Sequence, residues 1–305
     1  MKGRPQDCMR VGMIHFMAYP QAMKPGGPVV ETLRSLCADD YFSVVEATRI
    51  ADAATRKQAI ETVRQAGRDV FFGAQPALLG GKHDLNSPDT RARQAAVDVA
   101  RACLAEAVEW NALGLAVLSG PVPAQAQRAA ATSWLAASLK ELCEFGRRQG
   151  NLPILLETFD QVPFGKNCLI GPTADAVALA RHITGFYPSF GLLLDLSHLP
   201  LQGESAAAAL GAAAPFLKHV HIGNCVMRDN AHPAYGDNHP IFGCPGGENG
   251  VQELAVFLRE LFKIGYLSQG GRRTVSFEIK PYGDQTSEQV LANAKETLDA
   301  AWKLV

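Results

Sequence analysis

The sequence predicts a (β/α)8 barrel built as a single domain over residues 1–305. Three observations carry that reading. Short apolar, β-branched runs recur eight times along the chain. A longer stretch with helical spacing of apolar residues follows most of them. The runs are continuously apolar rather than alternating, as parallel strands covered on both faces require. A length of 305 residues would suit two average domains, but α/β barrels of this size commonly form one.

In chain order the expected strands are 11–17, 42–47, 70–74, 113–118, 154–158, 190–195, 217–222 and 274–279. Residues 90–111, 125–149 and 286–304 read as amphipathic helices rich in Ala, Arg and Glu. Pro172 opens a further helix from a first-turn position, and Gly250 introduces another. The Ala-rich stretch 206–214 is most simply a short helix. An open doubly wound sheet is the alternative, weakened because no GxGxxG follows the first strand. Two long loops, 18–28 and 223–250, are rich in Gly, Pro and Asn. Both follow strands, so both belong at the C-terminal face of a barrel, where long loops carry function or act as lids.

Composition narrows the function classes. With 29 basic and 30 acidic residues the net charge is -1, which leaves no electrostatic footprint for nucleic acid or an anionic membrane. Seven cysteines, an odd number with no CxxC, read as free thiols in a reducing compartment. The start, MKGRPQDCMR, lacks the apolar run of a signal peptide, and no segment reaches about 18 uninterrupted apolar residues. A cytoplasmic enzyme is the expectation.

The chemistry lies where polar residues interrupt strand ends. ILLETFD places Glu157 at the end of strand five. LLLDLSH places Asp195 at the end of strand six, with His198 three residues on. HVHIGN places His219 and His221 on one side of strand seven, and VSFEIK places Glu278 in strand eight. A carboxylate after three apolar strand residues is costly to bury unless it is paired or metal-bound. Any one of these acids alone also reads as a partner for a loop amide or an arginine. Four neighbouring strand ends converging on one point suit a divalent cation, among Mn, Mg, Fe, Co and Zn.

LLETFD, LLLDLSHL, KHVHIGN and SFEIKP resemble the sugar phosphate isomerase/epimerase superfamily, the xylose isomerase-like TIM barrels. That group includes ketose 3-epimerases, inosose-pathway enzymes and endonuclease IV, and the resemblance covers nearly the whole chain. It implies one divalent metal ion, manganese first, held by Glu157, Asp195, His221 and Glu278. It further implies that Glu157 and Glu278 are the catalytic acid/base pair. One removes a proton beside a carbonyl, the other returns it from the opposite face, and the metal steadies the enediolate between the two steps. His198 and Arg228 are implied as substrate contacts, Arg228 reading equally as a solvated loop cation, and His239 is read from its own turn as facing substrate. The expected partner is a small carbohydrate, with no nucleic acid and no membrane, in a homo-oligomer.

Two other reactions share the first step. The extended loop from Asn224 to Gly250 is similar to that of C-glycoside deglycosidase catalytic subunits, lyases that expel an aglycone from a 3-keto sugar and work with a second subunit. A decarboxylase or hydrolase of a keto-sugar acid is the other. In the same loop Asp237 and His239 form a D-x-H that could join His198 in a second metal site, as in endonuclease IV, or form a turn facing substrate. A phosphodiesterase is disfavoured: strands two and three offer Glu46 and Gln75 in place of the imidazoles of endonuclease IV, and His83 lies beyond them in a probable turn sequence, GGKHDLNSP. His15 is placed in strand one, facing pocket or core. Met17 and Phe72 read as barrel packing, and Lys166 and Asn167 as a surface turn or substrate contacts.

Overall fold

The protein is described here by a computed structural model over residues 3–305. Eight parallel strands close into a barrel in the order β1 to β8. They are β1 Arg10–Ile14, β2 Val44–Thr48, β3 Asp69–Gly73, β4 Leu115–Leu118, β5 Ile154–Glu157, β6 Gly191–Asp195, β7 Leu217–Gly223 and β8 Thr274–Glu278. Closure is made by β8 against β1, with Arg10 opposite Thr274 and Met13 opposite Phe277.

The connecting helices are α1 His15–Ala18 and α2 Val29–Cys37 after β1, α3 Ala53–Gln65 after β2, and α4 Gln75–Gly80 and α5 Thr90–Glu109 after β3. Then come α6 Arg128–Arg148, α7 Thr173–Thr184, α8 His198–Gln202 and α9 Ala206–Ala213, α10 Val251–Lys263, and α11 Ser287–Trp302. Local chemistry starts several of them. Asp89 accepts hydrogen bonds from Arg91 and Ala92 to cap α5, and Thr286 caps α11 from its hydroxyl. Pro172 stands at the N-cap of α7 rather than inside its first turn.

The eight expected strands are all present, displaced at their ends by up to three residues. The largest difference is in β1, which stops at Ile14. His15, expected in the strand, begins α1, where its carbonyl accepts from the Tyr19 amide. Pairing with β2 ends at Ile14 opposite Glu46, so the chain beyond is free to turn. Among the described residues no helix is long and apolar enough to cross a membrane. All seven cysteines are free thiols.

Apolar side chains fill two separate volumes. One large cluster lies between the strands and the helices. A small one, Val44, Phe71, Ala116, Leu155 and Leu193, takes one residue from each of β2 to β6. Val44, Leu155 and Leu193 stand two residues before Glu46, Glu157 and Asp195. Because side chains two apart share a face of a strand, this cluster is a plug in the barrel interior, and the acids form the layer above it.

Candidate metal centre and substrate cavity

The layer above the plug is almost entirely ionisable. Glu46, Glu157, Asp195, His198, His219, His221, Asp237 and His239 are all buried, and Glu278 nearly so. Donor atoms of Glu157, Asp195, His221 and Glu278 lie within 4.8 Å of one another. The structure therefore brings together all four residues that the sequence nominates as metal ligands.

His221 stands at the centre. Its Nδ1 is 2.8 Å from Glu278 Oε2 and 3.4 Å from Glu157 Oε1. Its Nε2 donates to Glu46 Oε2 at 3.0 Å, while His219 Nε2 donates to Glu46 Oε1 at 2.6 Å. A carboxylate only accepts, so Glu46 fixes the proton of His221 on Nε2 and leaves Nδ1 to face the acids. Phe71, from the plug, stacks on His219 at 3.9 Å between ring centroids and supports the pair from below. Glu157 is steadied by Gln75, whose amide donates to Oε2 at 2.7 Å. Asp195 accepts from the backbone N–H of Ser197 at 2.8 Å and from its hydroxyl at 2.6 Å.

Burial and pairing pull the titrations in opposite directions. Burial would raise the Glu46 carboxyl, but the charges of His221 and His219 outweigh it and hold it well below the usual carboxylate range. Burial pushes Asp195 up to about 6 against the pull of His198. For Glu278 burial loses to His239 and His221, and the carboxyl is held at about 2. Burial lowers the His221 ring, yet Glu46 and the neighbouring acids raise it well above its ordinary value. Three carboxylates around this one ring call for positive charge at the centre.

A hard dication fits these donors. Glu157 Oε1 is buried and accepts no hydrogen bond, so one lone-pair-rich oxygen faces the group without a partner. Three carboxylates and one imidazole match the ligand preferences of Mn, Mg, Co, Fe or Zn. The other two acid/imidazole groups differ. Glu46, His219 and His221 already spend both Glu46 oxygens on each other. Asp195, His198 and His239 also converge, with Asp237 beside them. There His198 Nδ1 donates to the Thr158 carbonyl at 2.8 Å, and its Nε2 lies 3.2 Å from Asp237 Oδ1. His239 Nε2 is 2.8 Å from the same oxygen.

A cavity of about 260 Å³ opens onto the acids. Glu157, His221, Glu278 and His239 line it, with Lys166, Lys280 and Asp237. Phe16, Met17, Met23, Leu79 and Phe159 form an apolar wall. Met17 is thus a wall residue, where the sequence suggests packing, while Phe72 is fully buried as expected. A second cavity of about 570 Å³ shares Phe16 and Met23 and contains His15 and Trp110.

The remaining nominated residues separate. His239 reaches the cavity from the 223–250 loop in a left-handed backbone conformation, φ 49°. His198 is wholly buried behind it. Arg228 is not in the cavity: its side chain is 83% exposed and pairs with Glu248 at 2.8 Å. Asn167 does not line the cavity, whereas Lys166 does. Glu46, Gln75 and Lys280 carry parts of the site to which the sequence reading gives no role. Glu46 had a visible signal, an acid after two valines in a strand.

A search among curated proteins finds no match. Solved structures are similar over almost their full length. A D-tagatose 3-epimerase-like protein shares 16% identity, covers 97% of this chain and 99% of its own, and superposes with a TM-score of 0.74. The 3-keto-D-glucoside 4-epimerase of E. coli shares 16%, covers 95% and 98%, and gives 0.68. The IOLI protein with a bound zinc atom shares 13%, covers 97% and 99%, and gives 0.72. Identities this low establish the fold. The family itself follows from a sequence model described as xylose isomerase-like TIM barrel, which matches residues 36–300, from α2 to the last helix. The closed eight-stranded barrel and that match together place this chain in the xylose isomerase-like TIM barrel family.

Proposed function

We propose that this protein is a divalent-metal-dependent sugar isomerase or epimerase that moves a proton at the carbon beside a carbonyl. The observation that carries the reading is the pair Glu157 and Glu278. They come from β5 and β8, flank Nδ1 of His221, and line one small cavity. Glu157, Asp195, His221 and Glu278 would hold the ion. When bound, a dication draws electron density from a carbonyl and makes the neighbouring C–H more acidic.

The chain's own groups supply the rest. One glutamate takes the proton from the C–H bond and keeps it as a carboxylic acid. The other gives a proton to the same carbon from the opposite face, which inverts the centre. Return to the adjacent carbon instead moves the carbonyl, which is isomerisation. Gln75 holds Glu157 in one orientation through the whole cycle. The apolar wall limits water around the reacting carbon, so protonation is left to the two glutamates, whose own protons exchange with solvent between turnovers. His239 lines the cavity with Nδ1 3.2 Å from the Ser197 hydroxyl and Nε2 on Asp237, which His198 also contacts, so a substrate oxygen would take the place of one of these partners. Several structural neighbours bear epimerase names, the D-tagatose 3-epimerase-like protein and the 3-keto-D-glucoside 4-epimerase among them, which supports this reading.

Solvent deuterium exchange into a panel of ketohexoses and keto-glucosides, with Mn added, tests it. Wild-type protein should incorporate deuterium at the carbon beside the carbonyl without loss of carbon. Glu157→Gln and Glu278→Gln should each lower exchange by about 10²- to 10⁴-fold. Near-wild-type exchange in either variant removes the acid/base pair. A second reading, a lyase acting on a 3-keto glycoside, is favoured by the adjoining 570 Å³ cavity, whose walls have room for an aglycone. Release of a free aglycone in the same assay, in place of an epimer, would select it.

A further inference from the structure

The cavity holds a cation that the proton-transfer reading does not use. Lys166 and Lys280 both line it, following β5 and β8 respectively, and so each stands beyond one of the two glutamates. Lys166 is neutralised. Its Nζ lies 3.2 Å from Asp237 Oδ2 and donates to the Asp237 carbonyl at 3.1 Å. Lys280 is different. Its Nζ donates only to the neutral Asn238 Oδ1, at 3.2 Å, and among the described residues no carboxylate lies within ion-pair distance of it. Its backbone is fixed, because the Lys280 amide donates to the His239 carbonyl at 2.8 Å.

This arrangement is unfavourable on its own. Lys280 is half-buried, and an ammonium whose one hydrogen bond goes to a neutral amide recovers only part of the hydration it loses. The Lys166 charge repels it, and Asp237 and Glu278 attract it only from beyond ion-pair distance. A neutral ketose would leave this imbalance in place. An anionic group would remove it with charge-assisted hydrogen bonds. The cavity volume, about 260 Å³, is below the roughly 300–1,000 Å³ typical of drug-sized ligands, so the anion and the sugar belong to one small molecule.

We infer that the substrate of this cavity is an acidic sugar, whose carboxylate or phosphate terminus is seated on Lys280 with Lys166 beside it, while its carbonyl end faces Glu157 and Glu278. The inference rests on the proposed function for what happens at the carbonyl, but the anion seat stands on geometry alone and can be tested without turnover.

The test is isothermal calorimetry on the Mn-loaded protein with three six-carbon probes that carry no carbonyl: sorbitol, gluconate and sorbitol 6-phosphate. One of the two anions should bind about 10- to 100-fold more tightly than sorbitol, the range for a hydrogen bond to a charged group. Which anion does so separates carboxylate from phosphate. Lys280→Gln should collapse that preference, and Lys280→Arg should restore most of it, which excludes misfolding as the cause. Added salt should weaken the preferred anion and leave sorbitol alone. Equal binding of all three probes overturns the proposal. So does a preference that survives in Lys280→Gln, because chelation of the ion by the probe would then explain it. If the exchange assay fails while the anion preference holds, the proton-transfer reading falls and the anion seat remains.

Discussion

At the scale of single residues, Glu46 orients the centre without being one of its four expected metal ligands. Its two oxygens serve two imidazoles, and the orientation of His221 follows from them. Glutamine in its place keeps the shape but offers only one acceptor, so its amide N–H₂ would confront one imidazole N–H. Glu46→Gln should therefore weaken Mn or Co binding by about 10- to 100-fold, as outer-shell partners of metal-bound histidines do. Competition with a coloured chelator measures this, and affinity within twofold of wild type would deny Glu46 that role. The four nominated ligands were legible because each is a polar interruption of an apolar strand end. Glu46 carries the same signal, but its partners are 173 and 175 residues away across the barrel, a pairing no local pattern encodes. Arg228 shows the opposite failure. Its loop has no periodicity to fix where a side chain points, and Glu248 holds it outside.

At the scale of elements, the junction of β1 and α1 is informative. His15 is buried, and its Nε2 contacts Thr32 Oγ1 at 2.8 Å. The Thr32 hydroxyl proton is already given to the Pro28 carbonyl at 2.7 Å, so the imidazole Nε2 is the donor. Burial lowers its pKa to about 4 from the ordinary 6.5. The unfolded chain thus binds the extra proton first. Stability contributed by neutral His15 is complete above about pH 6.5, falls as pH drops through that value, and is lost by about pH 4, a difference of roughly 3 kcal/mol. His15→Gln should have a shallower acid limb over this window in urea midpoints, and identical slopes would show that His15 does not titrate there. The long 223–250 loop is equally well fixed. Asn224 accepts from the amides of Cys225 and Asn249, and Asn249 donates to the carbonyls of Leu196 and Gly223. Those asparagines are visible in the sequence as loop residues, but their pairing depends on chain reversal over 25 residues.

At the scale of the whole molecule, the barrel was the most legible feature. Eight apolar runs and their intervening helices follow from periodicity, and β8 pairing with β1 closes the sheet that the pattern alone would also allow to stay open. Closure then decides the energetics of the centre. The ionisable layer sits between an apolar plug and a small cavity, so a cation bound there would stabilise the folded barrel. Stripping the ion with chelator should lower the melting temperature, by an amount equivalent to about 2.7 kcal/mol when free metal had been 100-fold above its Kd. Metal content by elemental analysis should be close to one ion per chain, absent from His221→Ala and Glu278→Ala and retained in His239→Ala. Two ions in wild type, one of them lost in His239→Ala, would instead assign a second site to Asp195, His198 and His239. A fully apo protein after soaking with Mn, Co and Zn would make the four residues structural.

The division of labour between strand ends and loops has a consequence for descent. The residues that face the presumed cation are bonded into the sheet, while Lys166, Lys280, His239 and the apolar wall stand on the segments that follow it. Insertions and replacements in those segments can alter which sugar enters without disturbing the barrel beneath. Lineages sharing this scaffold are therefore free to exchange substrates faster than they exchange chemistry. Solved structures at 13–16% identity that superpose over nearly their whole length show how far sequence can vary on this fold.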